Sequence, residues 1–232
     1  MKQNTSSCIQ CVGGQKICTY CQSVLIKHGY SKSGKQRYKC KNCIRTQVDT
    51  YTYQACQLPI YNQIVGLTKE GCGIRSIARL LKIGTNTVLR KIRVIAKQLP
   101  KPLISFGKEY EMDELCTYVK SKSRKYWVAY AISKDTKQVV DFRIGNRTNR
   151  TLRKVTETLI LSNATKIFTD KLPNYRSLLP SNIHSTKYRG TNHIERKNLT
   201  LRTHLKRLSR RTICFSKSAA MLSACLKIYF WG

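Results

Sequence analysis

An α+β, multidomain architecture is predicted by three changes of pattern along the 232 residues. Cysteine pairs crowd the first 43 positions, apolar residues then recur at helical spacing from 60 to 98, and farther on aromatic and β-branched runs read as strands around one helix. Residues 1–50 are expected to form a metal-binding domain, 51–98 a helix-turn-helix, 99–108 a linker and 109–232 a mixed-sheet domain.

Charge narrows the partner. Forty-four Lys and Arg against 11 Asp and Glu leave a net charge of +33, whose self-repulsion disfavours a compact chain unless a polyanion offsets it. Nucleic acid is the natural polyanion. A membrane surface is the rival, but the sequence has neither a run of about 18 apolar residues nor an N-terminal signal with a hydrophobic core. The expectation is a soluble, cytoplasmic protein associated with DNA in the nucleoid. Only Asp49 and Glu70 precede residue 109, so carboxylate chemistry belongs to the C-terminal half.

Eleven cysteines make an odd count, which argues against a closed disulfide framework. Cys18-x2-Cys21 and Cys40-x2-Cys43 have the spacing of a four-thiolate zinc ribbon or knuckle, two turns that each present two sulfurs to a tetrahedral Zn2+. The intervening segment is too polar to fold unaided, and structural zinc supplies on the order of 10 kcal/mol. Cys8 and Cys11 form a spare pair with no further ligand pair nearby.

Between 60 and 98, Ile60, Ile64 and Leu67 mark one helix, Ile74, Ile77, Ala78 and Leu81 a second, and Val88, Ile92, Ile95 and Leu99 a third. KIGTN supplies a Gly turn and then Thr85 or Asn86 as N-cap. In a helix-turn-helix the third helix reads DNA, and Asn86, Thr87, Arg90, Lys91 and Arg93 are its candidate contacts. LPKPLISFGKEY breaks the pattern as a linker.

Glu114–Lys120, Tyr126–Ile132 and Gln138–Ile144 are expected to form a three-stranded meander, with SKDTK as the second turn. Thr148 can cap a helix with Leu152, Val155, Leu159 and Ile160 on its apolar face, and TKIFTD a fourth strand ending at Asp170. Asp141 is a strand acid expected to pair, in solvent, with Arg143 or Lys134. A last helix carries Ile194, Leu201, Leu205 and Leu208 on one stripe. Its one acid, Glu195, has no Lys or Arg at i±3 or i±4. The local alternative is a cap, with Asn192 as N-cap and Glu195 reaching back to the free amides.

Asp113 begins the first of these strands and Asp170 ends the fourth. If those strands are neighbours, two carboxylates meet at one edge and the last helix can add Glu195. Three acids in a basic protein call for divalent cations, and paired Mg2+ ions are a standard device for in-line attack on a phosphodiester. Glu109, Glu111 and Glu114 are alternatives to Asp113.

The Cys-x2-Cys pairs with HGYSKSGKQRYKCKNC, the helix-turn-helix, MDELCTYV, YWVAYAI, the TD of FTDK and the long HIERKNLTLRTHLKRLSRRTICFSKS resemble the transposases of the insertion-sequence-one family over nearly the whole chain. The resemblance implies a DDE transposase with a ribonuclease H-like core and Asp113, Asp170 and Glu195 as catalytic ligands of Mg2+ or Mn2+. It also implies that the zinc and helix-turn-helix parts bind double-stranded terminal inverted repeats, with target DNA as second substrate. Departures from the family pattern are TDKLPNY, with Leu172 and Pro173 where a TD-x-W-x-x-Y pattern is usual but with Tyr175 kept, and Cys116 in place of an aromatic residue. Asn198, Arg202 and Lys206, on the face of Glu195, are expected to contact phosphates, and His193 is not expected to bind metal. Action at two element ends implies a dimer or larger assembly. The competing functions are an inactive zinc/helix-turn-helix regulator of transposition and a nuclease that cuts without joining.

Overall fold

The computed structural model describes residues 9–56 and 59–232; Cys8 lies outside them. By spatial proximity the chain divides into two units, Met1–Ile64 with Ile74–Val88 and Val65–Gly73 with Leu89–Gly232.

In the first unit, β1 (Gln10–Val12) and β2 (Gln15–Ile17) pair antiparallel across Gly13 and Gly14. Both glycines have positive φ, +54° and +78°, as a two-residue hairpin turn requires. A three-stranded antiparallel sheet follows, β3 (Leu25–Tyr30), β4 (Gln36–Cys40) and β5 (Thr46–Val48). Its apolar core is small: Leu25 and Tyr38 are buried with Cys18 and Cys40.

The three expected helices are α1 (Ile60–Lys69), α2 (Ile74–Leu80) and α3 (Thr85–Gln98). Each buries its apolar stripe, with Ile60 and Ile64, Ile77 and Ala78, and Val88, Ile92 and Ile95 nearly inaccessible. The third helix starts one residue earlier than KIGTN suggests, because the Gly84 carbonyl accepts from Val88 N–H. Gly84 N–H donates to the Tyr53 hydroxyl at 2.9 Å, so an upstream side chain helps to fix this helix start.

The second unit is built on a five-stranded mixed sheet. Its long strands are β6 (Glu109–Val119), β7 (Ser121–Ser133) and β8 (Val139–Gly145), an antiparallel meander. The short β9 (Lys166–Phe168) runs parallel beside β6, and β10 (His184–Ser185) parallel beside β9, giving the order β10-β9-β6-β7-β8. The meander is longer than expected because Glu109 and Glu111 read as polar, yet both sit in register with β9.

Helices cover both faces. On one, α4 (Asn149–Leu161) and α5 (Asn174–Leu178) bring Leu152, Val155, Leu159 and Tyr175 against Tyr110, Met112, Ala129 and Ala131. On the other, α6 (Asn192–His204) and α7 (Ala219–Trp231) bring Ile194, Leu201, Leu222 and Leu226 against Leu115, Val128, Tyr130 and Ile132. Alternation along β6 therefore sends Glu111, Asp113 and Leu115 toward α6, and Met112 and Glu114 toward α4 and α5. Trp231 Nε1 donates to the Val139 carbonyl at 2.8 Å and ties α7 to the edge strand.

Two expectations are corrected. The last helix stops at His204 instead of running through Leu208; Leu205 and Leu208 stay buried through a 3-10 turn, which Arg202 secures by donating to the Leu208 carbonyl at 2.9 Å. Asp141 is not solvated. It is fully buried, pairs with Lys101 at 2.8 Å and Arg143 at 3.5 Å, and accepts from the Thr158 hydroxyl at 2.9 Å. Lys101 comes from the predicted linker segment, which the strand pattern alone could not connect to Asp141. No helix among the described residues is long and apolar enough to cross a membrane.

Candidate active site and cysteine cluster

Register brings the acids together. Glu111 pairs with Phe168, two residues before Asp113 and Asp170 respectively, so the two aspartates follow side by side just past the end of the parallel pairing. Asp113 lies at the fifth residue of β6, not at its start, and Asp170 two residues beyond β9. Pairing between β6 and β9 ends at Glu111, which leaves an open edge where side chains from both faces of β6 can converge. Asp113, Glu114 and Asp170 each place a carboxylate oxygen within 4.8 Å of the others.

Hydrogen bonds orient each carboxylate. Asp113 Oδ1 accepts from the Glu114 amide at 2.7 Å, and its Oδ2 from Asn198 Nδ2 at 2.6 Å. Asn198 is set in turn by the buried Tyr130 hydroxyl, which donates to its Oδ1 at 2.8 Å. Asp170 Oδ1 accepts from the Leu172 amide at 3.0 Å. Glu114 Oε1 accepts from Tyr175, and its Oε2 from Arg147 at 3.1 and 3.3 Å.

Burial raises the Asp113 carboxyl to about 6; the Glu114 amide opposes the shift, and repulsion from Glu114 and Asp170 adds to it. Burial also raises Glu114, against the pull of Tyr175 and Arg147. These are carboxylates crowded in a way that a cation relieves. The hard carboxylate oxygens of Asp113 and Asp170, with Glu114 held beside them by Tyr175 and Arg147, fit a divalent ion such as Mg2+.

Glu195 lies outside this group. It sits in the first turn of α6, and its Oε1 accepts from the Thr191 hydroxyl at 2.7 Å. The N-cap is Thr191, one residue before the expected Asn192, and the cap makes no side-chain hydrogen bond to the helix backbone. Asn198, which holds Asp113, is one helical turn farther along.

The free amide of Ile194 is satisfied from the sheet by Glu111, a partner that periodicity does not reveal. Glu111 is fully buried and accepts from Ile194 N–H at 2.9 Å, while His193 Nδ1 meets its other oxygen at 2.5 Å. His193 is thus engaged by Glu111. Removing that carboxylate leaves a buried amide unpaired at the point where α6 docks. Glu111→Ala is expected to cost about 3 kcal/mol of stability, read as a lower urea midpoint of the intact chain.

Of the remaining predicted contacts, Arg202 is half-buried and donates to the carbonyls of Leu208 and, at 3.5 Å, Cys116; Lys206 is exposed just beyond the helix. On α3, Asn86, Arg90 and Arg93 are exposed at the i, i+4, i+7 spacing of one face. Thr87 and Lys91 are half-buried.

At the other end of the chain, Cys18, Cys21, Cys40 and Cys43 bring their sulfurs within 4.8 Å of one another. Cys18 to Cys43 is 3.6 Å and Cys21 to Cys40 is 3.4 Å, near the roughly 3.8 Å edge of a tetrahedral Zn–S4 centre with bonds of about 2.3 Å. The two turns are built alike. Cys18 N–H donates to the Ser23 carbonyl and Cys40 N–H to that of Arg45, and each turn passes through a left-handed residue, Gln22 or Ile44. The Ser23 hydroxyl and amide hold Cys21 at about 6. At Cys43 the Arg45 amide pulls the thiol down, but burial and the neighbouring sulfurs outweigh it and raise it to about 11. Four thiolates need a cation to coexist. Cys11 is exposed and outside the cluster.

A helix-turn-helix, a four-cysteine cluster and a carboxylate cluster at the edge of a mixed sheet together define a DNA-processing protein. A family profile described as IS1 transposase matches residues 109–230, and one described as InsA C-terminal domain matches 51–94. The chain belongs to the IS1 transposase family. It is 41% identical over 108 residues to the iso-IS1n protein InsB of Shigella dysenteriae, covering 47% of this chain and 82% of that protein. It is 43% identical over 108 residues to the IS1 2 protein InsB of Escherichia coli strain K12, covering 47% of this chain and 65% of that protein. Among solved structures, the simian T-cell lymphotropic virus intasome in complex with PP2A regulatory subunit B56 gamma aligns over 70% of this chain and 66% of that one, at 18% identity and a TM-score of 0.38, too weak a likeness to carry an argument.

Proposed function

We propose that this transposase binds the terminal inverted repeats of its element and, with Mg2+ or Mn2+, cleaves DNA strands at the repeat ends and joins them to target DNA. The observation that carries the proposal is the convergence of Asp113, Glu114 and Asp170 in a chain of net charge +33. Residues 1–50 act as a zinc-bearing DNA-binding domain, 51–98 as the helix-turn-helix, 99–108 as the linker and 109–232 as a ribonuclease H-like catalytic domain.

Asp113, Asp170 and, by the family motif, Glu195 hold the metal. When bound, divalent ions supply the positive charge that favours ionisation of water or a 3′-hydroxyl and stabilises the departing oxygen. Asn198 and the Glu114 amide keep both Asp113 oxygens aimed, and the Leu172 amide does the same for one oxygen of Asp170. Asn86, Thr87, Arg90, Lys91 and Arg93 read the repeat, while Lys206 and Arg202 meet phosphate near the cut. Two element ends are served by a dimer or larger assembly.

The test uses an oligonucleotide bearing the element's terminal repeat and a target duplex. Wild type is expected to cleave and join with Mg2+ and to do neither in EDTA. Asp170→Asn is expected to retain binding and lose both steps. Binding by wild type without cleavage in either Mg2+ or Mn2+ would make the chain a DNA-binding regulator, and cleavage without joining a nuclease.

A further inference from the structure

Among the described residues, Arg147, in the loop between β8 and α4, pairs with the acidic cluster. Its Nη2 stands 3.1 Å from Glu114 Oε2 and 3.9 Å from Asp170 Oδ2. The Glu114 side chain is 1% exposed, a place where a lone carboxylate is costly, whereas that of Asp170 is 43% exposed. Both Glu114 oxygens are occupied, one by Tyr175 and the other by two nitrogens of Arg147. The guanidinium also lies over the Trp127 ring, 4.6 Å from its centroid. Trp127 and Glu114 share one face of the sheet, since Cys116 pairs with Trp127 and Glu114 with Ala129. The ring thus supports the guanidinium by a cation–π contact.

We propose that Arg147 is the resident counter-ion of the carboxylate cluster, a positioning residue that keeps Glu114 out of the metal-binding set and competes with divalent cations at Asp170. The bond to Glu114 is the shorter and more buried of its two, and it persists when metal arrives. The contact with Asp170 is long and partly solvated, and it is the one a metal displaces. Arg147 thus reserves Asp170 for metal while lowering its affinity. The inference rests on Asp113 and Asp170 being metal ligands.

Mn2+ binding to the full chain without DNA, followed by electron paramagnetic resonance, tests it independently of turnover. Arg147→Gln is expected to bind Mn2+ about tenfold more tightly, since a unit positive charge beside the ligands is lost. The metal-free variant is expected to melt earlier than wild type and to gain more from added Mn2+. Unchanged or weaker Mn2+ affinity in folded Arg147→Gln overturns the counter-ion role. If that variant does not fold, Arg147→Met decides on the same reading, because it too removes the charge while keeping an apolar stem against Trp127: tightening of about tenfold supports the role, and unchanged affinity overturns it. Asp170→Asn separates the two layers. Wild-type binding that is lost in Asp170→Asn upholds the ligand assignment even if Arg147 proves silent, whereas Mn2+ affinity indifferent to Asp170 overturns both.

Discussion

Glu195→Gln is expected to lower Mg2+-dependent cleavage and joining of repeat DNA by on the order of 10^3-fold, while changing repeat affinity by no more than about twofold. Losing one of three charged metal ligands removes several kcal/mol of transition-state stabilisation, at about 1.4 kcal/mol per decade of rate. Binding is spared because the recognition helix lies elsewhere in the sequence and Gln keeps the side-chain volume. The geometry around Glu195 supports the expectation without supplying the contact. Ile194 is buried and its amide is held by Glu111, so this turn of α6 is fixed on the sheet. One turn on, Asn198 grips Asp113. Glu195 itself is exposed and accepts from the Thr191 hydroxyl. A cap-only role makes a different prediction: Gln still accepts from Thr191, turnover is unchanged, and stability falls by at most about 1 kcal/mol from the lost charge near the helix start. Single-turnover rates and thermal melts on the same preparation separate the two.

The elements of both units follow from patterns that are local in sequence. The unbroken aromatic and β-branched run Tyr126–Ile132 corresponds to β7, a strand buried on both faces, and the stripe of Val88, Ile92 and Ile95 to α3, which needs only one buried face. The spacing of the four cysteines encodes their meeting for the same reason, since each pair shares one short turn. The adjacency of Asp113 and Asp170 required one further step, the parallel pairing of β6 with β9. What stayed hidden depends on tertiary partners. Glu111 resembles any solvated strand acid until the start of α6 is laid over it. Asp141 is buried because Lys101 and Thr158 reach it from distant segments. Arg147 is one of 44 basic residues, and nothing in its neighbours' spacing distinguishes it. Only the fold places it between Glu114, Asp170 and Trp127.

Removing the metal from the N-terminal module is expected to unfold it while the sheet domain persists. The module's described core holds two apolar side chains besides cysteine, Leu25 and Tyr38, each contributing roughly 2–3 kcal/mol on burial. Ordering the segment from Lys16 to Val48 costs more backbone entropy than two side chains offset. Short-range strand pairing narrows the gap, and structural zinc adds on the order of 10 kcal/mol. Cys40→Ser, or a strong chelator, should therefore expose the eight cations Lys16, Lys27, Lys32, Lys35, Arg37, Lys39, Lys41 and Arg45 to trypsin within minutes. Fragments spanning the sheet domain should survive, because its two apolar layers owe nothing to the cysteines. Those eight cations carry no acid among them, since Asp49 is the first in the chain. Once the module is unfolded they no longer present a fixed surface, so affinity for repeat DNA should fall about tenfold or more and lose part of its salt dependence. One equivalent of Zn2+ should restore both protection and affinity to chelated wild type, and neither to Cys40→Ser. An unchanged digestion pattern after verified metal removal would mean that the four sulfurs are held together by the fold alone, and the zinc assignment would fall.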